Sequence, residues 1–541
     1  MISKKYFDIH KPVFWPAIAL IVLFISITLI VGEPMESFFA GFKDWVTDKT
    51  GWIFIVTVNA FLIFCVYLAF SKYGSIRLGG KEAEPEFTTA AWFAMLFSAG
   101  MGIGLLFWGV AEPVFHYKSP PFGEGGTVEA AEKAMNYTFM HWGFHAWAIY
   151  ALVALSLGFF AFNKGLPLTI RSVFYPILGD RIYGWIGDVI DVFAVLATLF
   201  GLATSLGLGV KQVGAGIAYL TDFDNSVWLQ VGLIGGITLI ATLSVVAGVE
   251  KGVKFLSEWN IRIAAILLIF ILIVGPTLFI FRSTVQNIGN YLTSIVTVAT
   301  WTEAYRDQGW QGDWTVFYWA WWISWSPFVG MFIARVSKGR TIREFITGVL
   351  IIPSFLTFFW LSAMGGSAIF IDLHNEASNL AEQITQDEAT ALFVFLGEFP
   401  FATIGSIVGM ILIASFFVTS SDSGSLVIDS ITAGGKLDAP VAQRVFWACT
   451  EGAVAAVLLI GGGLTALQTA TISTGLPFLV ILLVMAYSLR KGLQKEFAEM
   501  TLLSQEKSRK NYEGKLAEVV WKNIQKRNKT TEPDSTPKKT K

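Results

Sequence analysis

Residues 314–330 read WTVFYWAWWISWSPFVG, and this stretch decides the class of fold. It contains five Trp and no Lys, Arg, Asp or Glu, so it has no charged face to offer to water and belongs inside protein or lipid. The whole chain agrees, because 54% of its 541 residues are hydrophobic and 15% are charged, against about 25% charged in soluble domains. The composition therefore excludes a disordered chain, a nucleic-acid binder and a disulfide scaffold. It predicts an all-α integral membrane protein.

Apolar runs long enough to cross a bilayer core as a helix, about 20 residues, recur twelve times along the chain. We place spans 1 to 12, in chain order, at 13–32, 52–71, 88–113, 138–163, 183–210, 228–249, 259–282, 314–335, 346–372, 395–423, 445–462 and 470–489. Span 1 is too long for the core of a signal peptide and lacks a cleavage site after it, so we expect it to be retained. Cys65 and Cys449 lie in apolar runs and are expected to pack inside the protein as unreactive thiols.

The loops between the spans show a strong charge asymmetry. With the N-terminus inside, the inner loops carry 18 of the Lys and Arg residues and the outer loops carry seven, while 14 more follow residue 489. Short loops rich in Lys and Arg stay in the cytoplasm. We therefore predict a multi-pass protein of the plasma membrane with both termini cytoplasmic.

Two spans contain residues that weaken a helix at membrane depth. Span 3 has Gly100, Gly102 and Gly104 within five residues, and each Gly costs about 1 kcal/mol in a helix. Span 8 has Pro327, which removes a helical hydrogen bond, followed by Gly330. Spans 3 and 8 are five apart, so a repeat of spans 3–7 as spans 8–12 would be inverted in the membrane. Broken helices at matching positions of inverted halves indicate the binding site of a transporter, although close helix packing would also explain the glycines.

This pattern divides the chain into six segments. They are a cytoplasmic N-terminal segment (1–12), two extra N-terminal helices (13–87), the first five-helix repeat (88–282), an external linker (283–313), the second five-helix repeat (314–489) and a basic cytoplasmic tail (490–541). We predict that the tail is helical to about residue 526 and ends in disorder. It is either a solvated segment that fixes the topology or a sensor of anionic lipid, since basic residues at the cytoplasmic leaflet gain about 1 kcal/mol each.

Several aromatic residues are predicted to lie deeper in the membrane than the interface, where Trp is usually found. Trp usually gathers at the membrane interface, and we assign three Trp to the outer interface: Trp301, Trp310 and Trp314. A second set is deeper: Tyr318, Trp321, Trp322 and Trp325 in span 8, with Trp142, Trp147 and Tyr150 in span 4. A quaternary ammonium has no N–H to donate, but the faces of Trp and Tyr rings attract it by about 2 kcal/mol or more when desolvated. The deep rings therefore predict a site for a methylated ammonium, with core packing as the alternative.

The polar residues of these spans give no sign of a proton path or a metal site. Spans 3, 4 and 8 have no Lys, Arg or Asp near the midplane, so nothing points to a proton path. His141 and His145 are four residues apart but have no third metal ligand nearby, and we expect water to solvate them. Glu112, at the outer end of span 3, is expected to be hydrated or paired. The hydroxyls at 419–421 in span 10 suit Na⁺, or they serve helix–helix hydrogen bonds.

Together these motifs resemble the betaine/carnitine/choline transporter family. The most specific match is residues 317–344, FYWAWWISWSPFVGMFIARVSKGRTIRE, and the glycine stretch 98–104 also resembles that of the family. The resemblance implies an inverted five-plus-five core of spans 3–7 and 8–12, like that of neurotransmitter/sodium symporters. It also implies two extra N-terminal helices and a homotrimer.

The resemblance further implies an aromatic box around a trimethylammonium group. Its four rings are Trp142, Trp147, Tyr150 and Trp322. Trp325 lies beside the box on the substrate path. The glycine stretch contributes Gly100, Met101, Gly102 and Gly104 to the substrate site.

Two sodium sites are implied in the same way. The first comprises Thr419 and Ser420 with the carbonyls of Ser98 and Met101. The second places Thr198 and Phe328 around an ion, but Leu202 stands where the family has a hydroxyl and cannot ligate an ion. Proton-coupled choline members carry Asp where this chain has Gly104, which favours sodium coupling and betaine-like cargo.

We therefore predict a Na⁺-coupled importer of glycine betaine or a related compatible solute, working by alternating access in osmoprotection. The expected partners are this small solute, Na⁺ as coupling ion, the bilayer and other copies of the chain; we expect no other cofactor and no nucleic acid. Transporters of choline, ectoine, proline betaine or carnitine are alternatives on the same scaffold. A channel is an alternative from another class. An enzyme is disfavoured, because no metal-ligand set and no nucleophile–base spacing is present.

Overall fold

The computed structural model of the chain describes residues 6–32, 34–100, 102–306, 308–375, 378–436 and 439–530, without the side chains of 97–100, 247–255 and 528–530. These residues form helices and no β-strand; one isolated bridge joins Arg77 and Thr341. The predicted all-α fold is confirmed.

The helices follow the order of the predicted spans. They are Lys11–Val31, Pro34–Phe70, Thr89–Gly100, Ile103–Lys118, Val128–Trp142, Phe144–Phe162, Tyr175–Leu178, Trp185–Leu220, Val227–Val274, Thr277–Ala299, Phe317–Val336, Ile342–Leu361, Ser367–His374, Leu380–Gln386, Ala391–Gly397, Ala402–Thr432 and Val441–Thr530. Short 3₁₀ turns occur at Lys72–Ser75, Ile170–Phe174, Gly179–Tyr183 and Glu388–Thr390, and π-helical turns at Gly312–Val316 and Ser362–Gly366.

Within the described ranges, nine helical stretches are long and apolar enough to cross a membrane. Span 3 is not among them, because it is split into two shorter helices. Span 8 is also missing from the nine, and its helix Phe317–Val336 is rich in Trp, whose ring is only partly apolar. Spans 11 and 12 fall in one assigned helix, Val441–Thr530, with non-helical backbone at Gly462 and Gly463. The count of twelve spans stays a prediction.

The chain divides into two units, Met1–Leu489 and Arg490–Lys541. In the second unit the backbone is helical to Thr530, as the tail pattern predicts, and residues 501–527 are all exposed. The predicted disordered end at 531–541 lies outside the described residues.

The two cysteines lie in different surroundings. Cys65 is buried, as expected, and its thiol is free. Cys449 is also free but exposed, so the prediction that it packs inside the protein is wrong. An apolar run does not reveal which of its residues face outward, toward the position of lipid.

Span 3 breaks within its glycine stretch. The helix Thr89–Gly100 ends there, and the helix Ile103–Lys118 begins after Gly102, whose backbone is extended with φ −157° and ψ −170°. Three glycines within five residues weaken the helix at this point, and the predicted interruption is present.

Span 8 is not broken at Pro327, so that prediction is wrong. The helix Phe317–Val336 continues through the proline. Pro has no N–H for the carbonyl of Ile323, four residues earlier, but the Ser326 hydroxyl donates a hydrogen bond to that carbonyl at 2.7 Å. The hydroxyl replaces the missing donor, and such side-chain substitution allows Pro inside membrane helices. The distortion lies earlier, in the π-helical turn Gly312–Val316.

Span 4 contains a break that we did not predict. The helices Val128–Trp142 and Phe144–Phe162 meet at Gly143, which has φ −100° and ψ −137°. A Cβ atom at Gly143 would lie 2.6 Å from the Phe358 ring, so glycine permits this close approach. The break separates His141 and His145, which therefore do not share one helix face.

The hydroxyl of Ser326 can be tested by substitution. Ser326→Ala leaves the buried carbonyl of Ile323 without a donor, and we expect the free energy of unfolding to fall by about 1–3 kcal/mol. Thermal unfolding in detergent measures this. Ser294→Ala is the matched control, because the Ser294 hydroxyl donates to the Asn290 carbonyl in a helix without Pro. Equal losses in the two variants would contradict the role of Ser326.

Candidate aromatic binding site

Seven of the predicted site residues meet around one small cavity between spans 3, 4 and 8. They are Gly102 and Gly104 of span 3, Trp142, Trp147 and Tyr150 of span 4, and Trp322 and Trp325 of span 8. The cavity has a volume of about 20 Å³, room for roughly one water molecule, so the rings lie close together. Trp321, predicted only as one of the deep rings and not as a member of the box, also lines it. Thr357 of span 9 lines it as well; no motif in the sequence distinguishes this residue.

The rings of the predicted box meet edge to face. The centroids of Trp142 and Trp322 are 4.9 Å apart at an interplanar angle of 68°. Those of Trp147 and Tyr150 are 5.6 Å apart at 78°, and Tyr150 lies 6.3 Å from Trp322 at 70°. Rings at such angles present several π faces to one space, and a π face attracts a cation that has no N–H.

Trp321 supports this box from behind. Its ring stacks on Trp322 at 4.8 Å and 13°, and its Nε1 donates to the Ser205 hydroxyl at 3.2 Å. A Cβ atom at Gly104 would lie 2.7 Å from Cη2 of Trp321 and 3.2 Å from Cη2 of Trp142. Glycine at this position therefore lets span 3 approach both rings.

A buried carboxylate lies directly behind Trp142. Oε2 of Glu112 accepts hydrogen bonds from Trp142 Nε1 at 2.6 Å and from the Tyr318 hydroxyl at 2.5 Å. Its Oε1 lies 2.6 Å from His141 Nδ1 and 3.3 Å from His116 Nε2. Glu112 is fully buried, so of the two expectations for it, hydration and pairing, pairing is observed.

Water does not solvate the histidines of span 4, contrary to the prediction. His141 and His145 are 0% and 1% exposed. His141 contacts Glu112 and, through Nε2, the Thr315 hydroxyl at 3.0 Å, whereas His145 Nε2 lies 3.2 Å from Asn59 Oδ1. Their partners come from other helices, which spacing within span 4 cannot show.

Three ligand atoms of the Glu112 cluster lie within 4.8 Å of one another, from Glu112, His116 and His141. Of the two span 4 histidines, His141 belongs to this group and His145 does not; the other two ligands both lie on the helix Ile103–Lys118 of span 3. The same atoms contact each other at hydrogen-bonding distance, and the second carboxylate oxygen is used by Trp142 and Tyr318. We interpret the cluster as a hydrogen-bond network.

Two Trp that we assigned to the outer interface cover this network instead. The ring of Trp314 lies 4.5 Å from that of His116, and the ring of Trp310 lies 5.1 Å from it. Trp310 is only 8% exposed. The Glu112 network is thus covered by rings on the predicted outer side.

The carbonyl freed by the break in span 4 is used within the box. Trp322 Nε1 donates to the backbone oxygen of His141 at 2.9 Å. In a continuous helix that oxygen would accept the N–H of His145, but the break at Gly143 interrupts the ladder. The broken backbone of span 4 therefore orients a ring of span 8.

A second cavity, of about 90 Å³, begins on the other side of Trp325. Its lining includes Trp325, Phe328, Ser257, Asn260, Thr419 and Ser420. The Thr419 hydroxyl accepts from Asn260 Nδ2 at 3.2 Å and donates to the Ser415 carbonyl at 3.2 Å. A hydroxyl oxygen has two lone pairs, so one is left for a cation.

The remaining residues of the two predicted sodium sites are only partly described. Met101 lies outside the described residues, as does the side chain of Ser98. The Thr198 hydroxyl donates to the Ala194 carbonyl at 2.7 Å. Leu202 packs so closely on Gly424 that a Cβ there would lie 2.2 Å from it. The second predicted sodium site thus has the apolar, closely packed Leu202 side chain where the resemblance implies a hydroxyl.

A third cavity continues from the second. Phe328 and Phe332 line both, and the third cavity reaches Glu86 and Arg335 at the predicted inner side. The aromatic box, the second cavity and the third cavity therefore follow one another toward that side, with Trp325 between the first two.

A helical membrane bundle with an aromatic cavity beside a broken helix has the features of a membrane transporter. Comparison with known families agrees, since the profile of the betaine/carnitine/choline family transporters matches residues 12–498. The chain belongs to this family.

Curated relatives cover most of the chain. A glycine betaine transporter of Acinetobacter baylyi is 45% identical over 503 residues, 93% of this chain and 76% of the relative. A glycine betaine/proline/choline transporter of Vibrio parahaemolyticus is 49% identical over 90% of this chain and 91% of the relative. The glycine betaine transporter OpuD of Bacillus subtilis is 45% identical over 90% of this chain and 95% of the relative. These relatives are named transporters, not enzymes.

The close approach at Gly104 can be tested without any ligand. We expect Gly104→Ala to displace the Trp321 ring from Ser205 and to lower the free energy of unfolding by about 1–3 kcal/mol, as overpacking does. Thermal unfolding and the near-ultraviolet circular dichroism of Trp measure the two effects. Gly232→Ala is the control, because no atom lies within 4 Å of its added Cβ. A Gly104→Ala protein as stable as this control would show that the approach is not needed.

Proposed function

We propose that the protein imports glycine betaine, or a closely related quaternary-ammonium solute, together with Na⁺. The observation that carries this proposal is the cavity lined by Trp142, Trp147, Tyr150 and Trp322. A trimethylammonium head cannot donate hydrogen bonds, and ring faces stabilise it by about 2 kcal/mol or more per desolvated contact. The names of the relatives, which include glycine betaine, proline and choline, support the same class of substrate.

The succession of cavities supports transport by alternating access. Past Trp325, the second and third cavities extend to Arg335 on the predicted inner side. On the opposite side, Trp310 and Trp314 pack on His116 of the Glu112 network, which lies behind Trp142. We infer that this form faces inward, and that the substrate enters when the covering rings move and leaves past Trp325.

Sodium coupling is proposed at the hydroxyls of Thr419 and Ser420, with the carbonyls of Ser98 and Met101. Hydroxyl and freed carbonyl oxygens beside a broken helix suit Na⁺, and Thr419 lines the second cavity next to Trp325. Leu202 leaves the position at Thr198 and Phe328 with one hydroxyl where the resemblance implies two. We therefore propose the first of the two sites as the one that couples Na⁺ to transport.

The charge asymmetry of the loops supports a location in the plasma membrane with both termini cytoplasmic. We further propose a homotrimer, a role in osmoprotection, and contact of the basic tail with anionic lipid. Choline, ectoine, proline betaine and carnitine remain rival substrates, and competition binding distinguishes them. A channel remains the rival from another class; it would conduct faster than a carrier turns over.

Uptake into proteoliposomes tests the proposal. We expect radiolabelled glycine betaine to accumulate under an inward Na⁺ gradient and not under a matched K⁺ gradient. We expect Trp322→Leu to weaken apparent affinity by at least about tenfold, since 1.4 kcal/mol is a factor of ten and one desolvated ring contact contributes about 2 kcal/mol.

The control for this substitution is Trp228→Leu, which removes a Trp that is 75% exposed and distant from the box in sequence. It should keep wild-type affinity. Equal uptake in Na⁺ and K⁺ gradients would refute the coupling, and wild-type affinity in Trp322→Leu would refute the box.

A further inference from the structure

Glu112 contacts side chains of spans 4 and 8 from its own position on span 3, and these three spans form the aromatic box. The proposed transport mechanism does not use it. It lies on the helix Ile103–Lys118 of span 3. Trp142 and His141 reach it from span 4, Tyr318 reaches it from span 8, and His116 lies one turn away on its own helix. These four side chains are its partners in hydrogen bonds and ion pairs among the described residues. None of the four is Lys or Arg.

Hydrogen bonding alone does not require a carboxylate at this position. A Gln would satisfy the same neighbours, because its carbonyl oxygen can accept from Trp142 Nε1 and the Tyr318 hydroxyl. Its amide can donate to His141 and His116, since each neutral imidazole presents one unprotonated nitrogen. Burying a carboxylate costs several kcal/mol more than burying a neutral group, so the charge itself calls for an explanation.

The charge lies where it can act on a ligand in the box. The Glu112 oxygen is 2.6 Å from Trp142 Nε1, and the same indole lines the cavity. A cation bound within about 6 Å of the ring centroid therefore lies within roughly 8 Å of the carboxylate, where charges still attract strongly at a protein-like dielectric constant. An anionic acceptor also polarises the indole and makes its face more negative.

We propose that Glu112 sets the charge preference of the aromatic box. Its negative charge favours ligands with a net positive charge over zwitterions that carry the same head group. Choline gains the full attraction, whereas in glycine betaine the ligand carboxylate is repelled by Glu112 and offsets part of the gain. The residue thus extends the range of the box from zwitterions to cations. This inference rests on the proposed function.

The experiment compares the dissociation constants of choline and glycine betaine for the purified full-length protein, by tryptophan fluorescence at one salt concentration. In Glu112→Gln we expect the ratio of the choline to the betaine dissociation constant to rise on the order of tenfold. Tyr318→Phe is the matched control: it removes one donor to Glu112 but keeps the charge, so the ratio should stay within about twofold of wild type.

A second variant keeps the test decisive if Glu112→Gln does not fold. Glu112→Asp keeps the charge on a shorter side chain, so the ratio should again stay within about twofold even if both affinities fall. A tenfold change of the ratio in Glu112→Asp, or an unchanged ratio in folded Glu112→Gln, would overturn this proposal alone. Failure of the wild type to bind either ligand would overturn the proposed function as well.

Discussion

A helix that breaks inside a bilayer exposes backbone groups that lipid cannot satisfy, and the binding site of this protein is arranged around that constraint. The break at Gly143 frees the carbonyl of His141, and the indole of Trp322 donates to it. At Pro327 the carbonyl of Ile323 loses its backbone donor, and the Ser326 hydroxyl replaces it. The first of these side-chain hydrogen bonds also orients a ring of the aromatic box. The second keeps the helix of span 8 continuous. The hydrogen bond from Trp322 to the His141 carbonyl therefore serves both the broken backbone of span 4 and the aromatic box.

The binding site also depends on the buried Glu112 carboxylate. It gathers donors from three spans at one buried position, and one of these donors is the Trp142 ring of the box. In the proposal made for it, this carboxylate adds a full negative charge behind a cavity lined largely by aromatic rings. Ring faces supply local attraction at short range, while a full charge acts over a longer distance. The two effects together suit a cationic head group that offers no hydrogen-bond donor.

The features that could be predicted from the sequence are those determined by residues close together in the chain. Clustered glycines weaken span 3 wherever its neighbours lie, and the depth of Trp322 follows from the rise of a helix along the chain. The structure brings seven of the predicted site residues together around one cavity. Prediction failed where the outcome depends on a neighbour: a lone Gly143 next to Phe358 breaks span 4, whereas Pro327 next to Ser326 does not break span 8.

The Glu112 network could not be predicted for the same reason. Tyr318 is 206 residues from Glu112, and no spacing rule connects positions so far apart before the helices pack. The signal available beforehand was a carboxylate within an apolar run, which marks a functional position by its cost. Trp310 and Trp314 were assigned to the interface because Trp is common there, yet the same ring serves equally well as a buried cover.

Recognition of the cationic head is tested most directly with two ligands of one shape, glycine betaine and 3,3-dimethylbutanoate, in which carbon replaces the quaternary nitrogen. Calorimetric titration of the wild-type protein would measure both affinities under the same conditions. If the aromatic box and the charge behind it recognise the cationic head, the carbon analogue should bind at least about 30-fold more weakly, the equivalent of roughly 2 kcal/mol. Equal affinities would show that the rings recognise shape alone and would refute recognition through the positive charge.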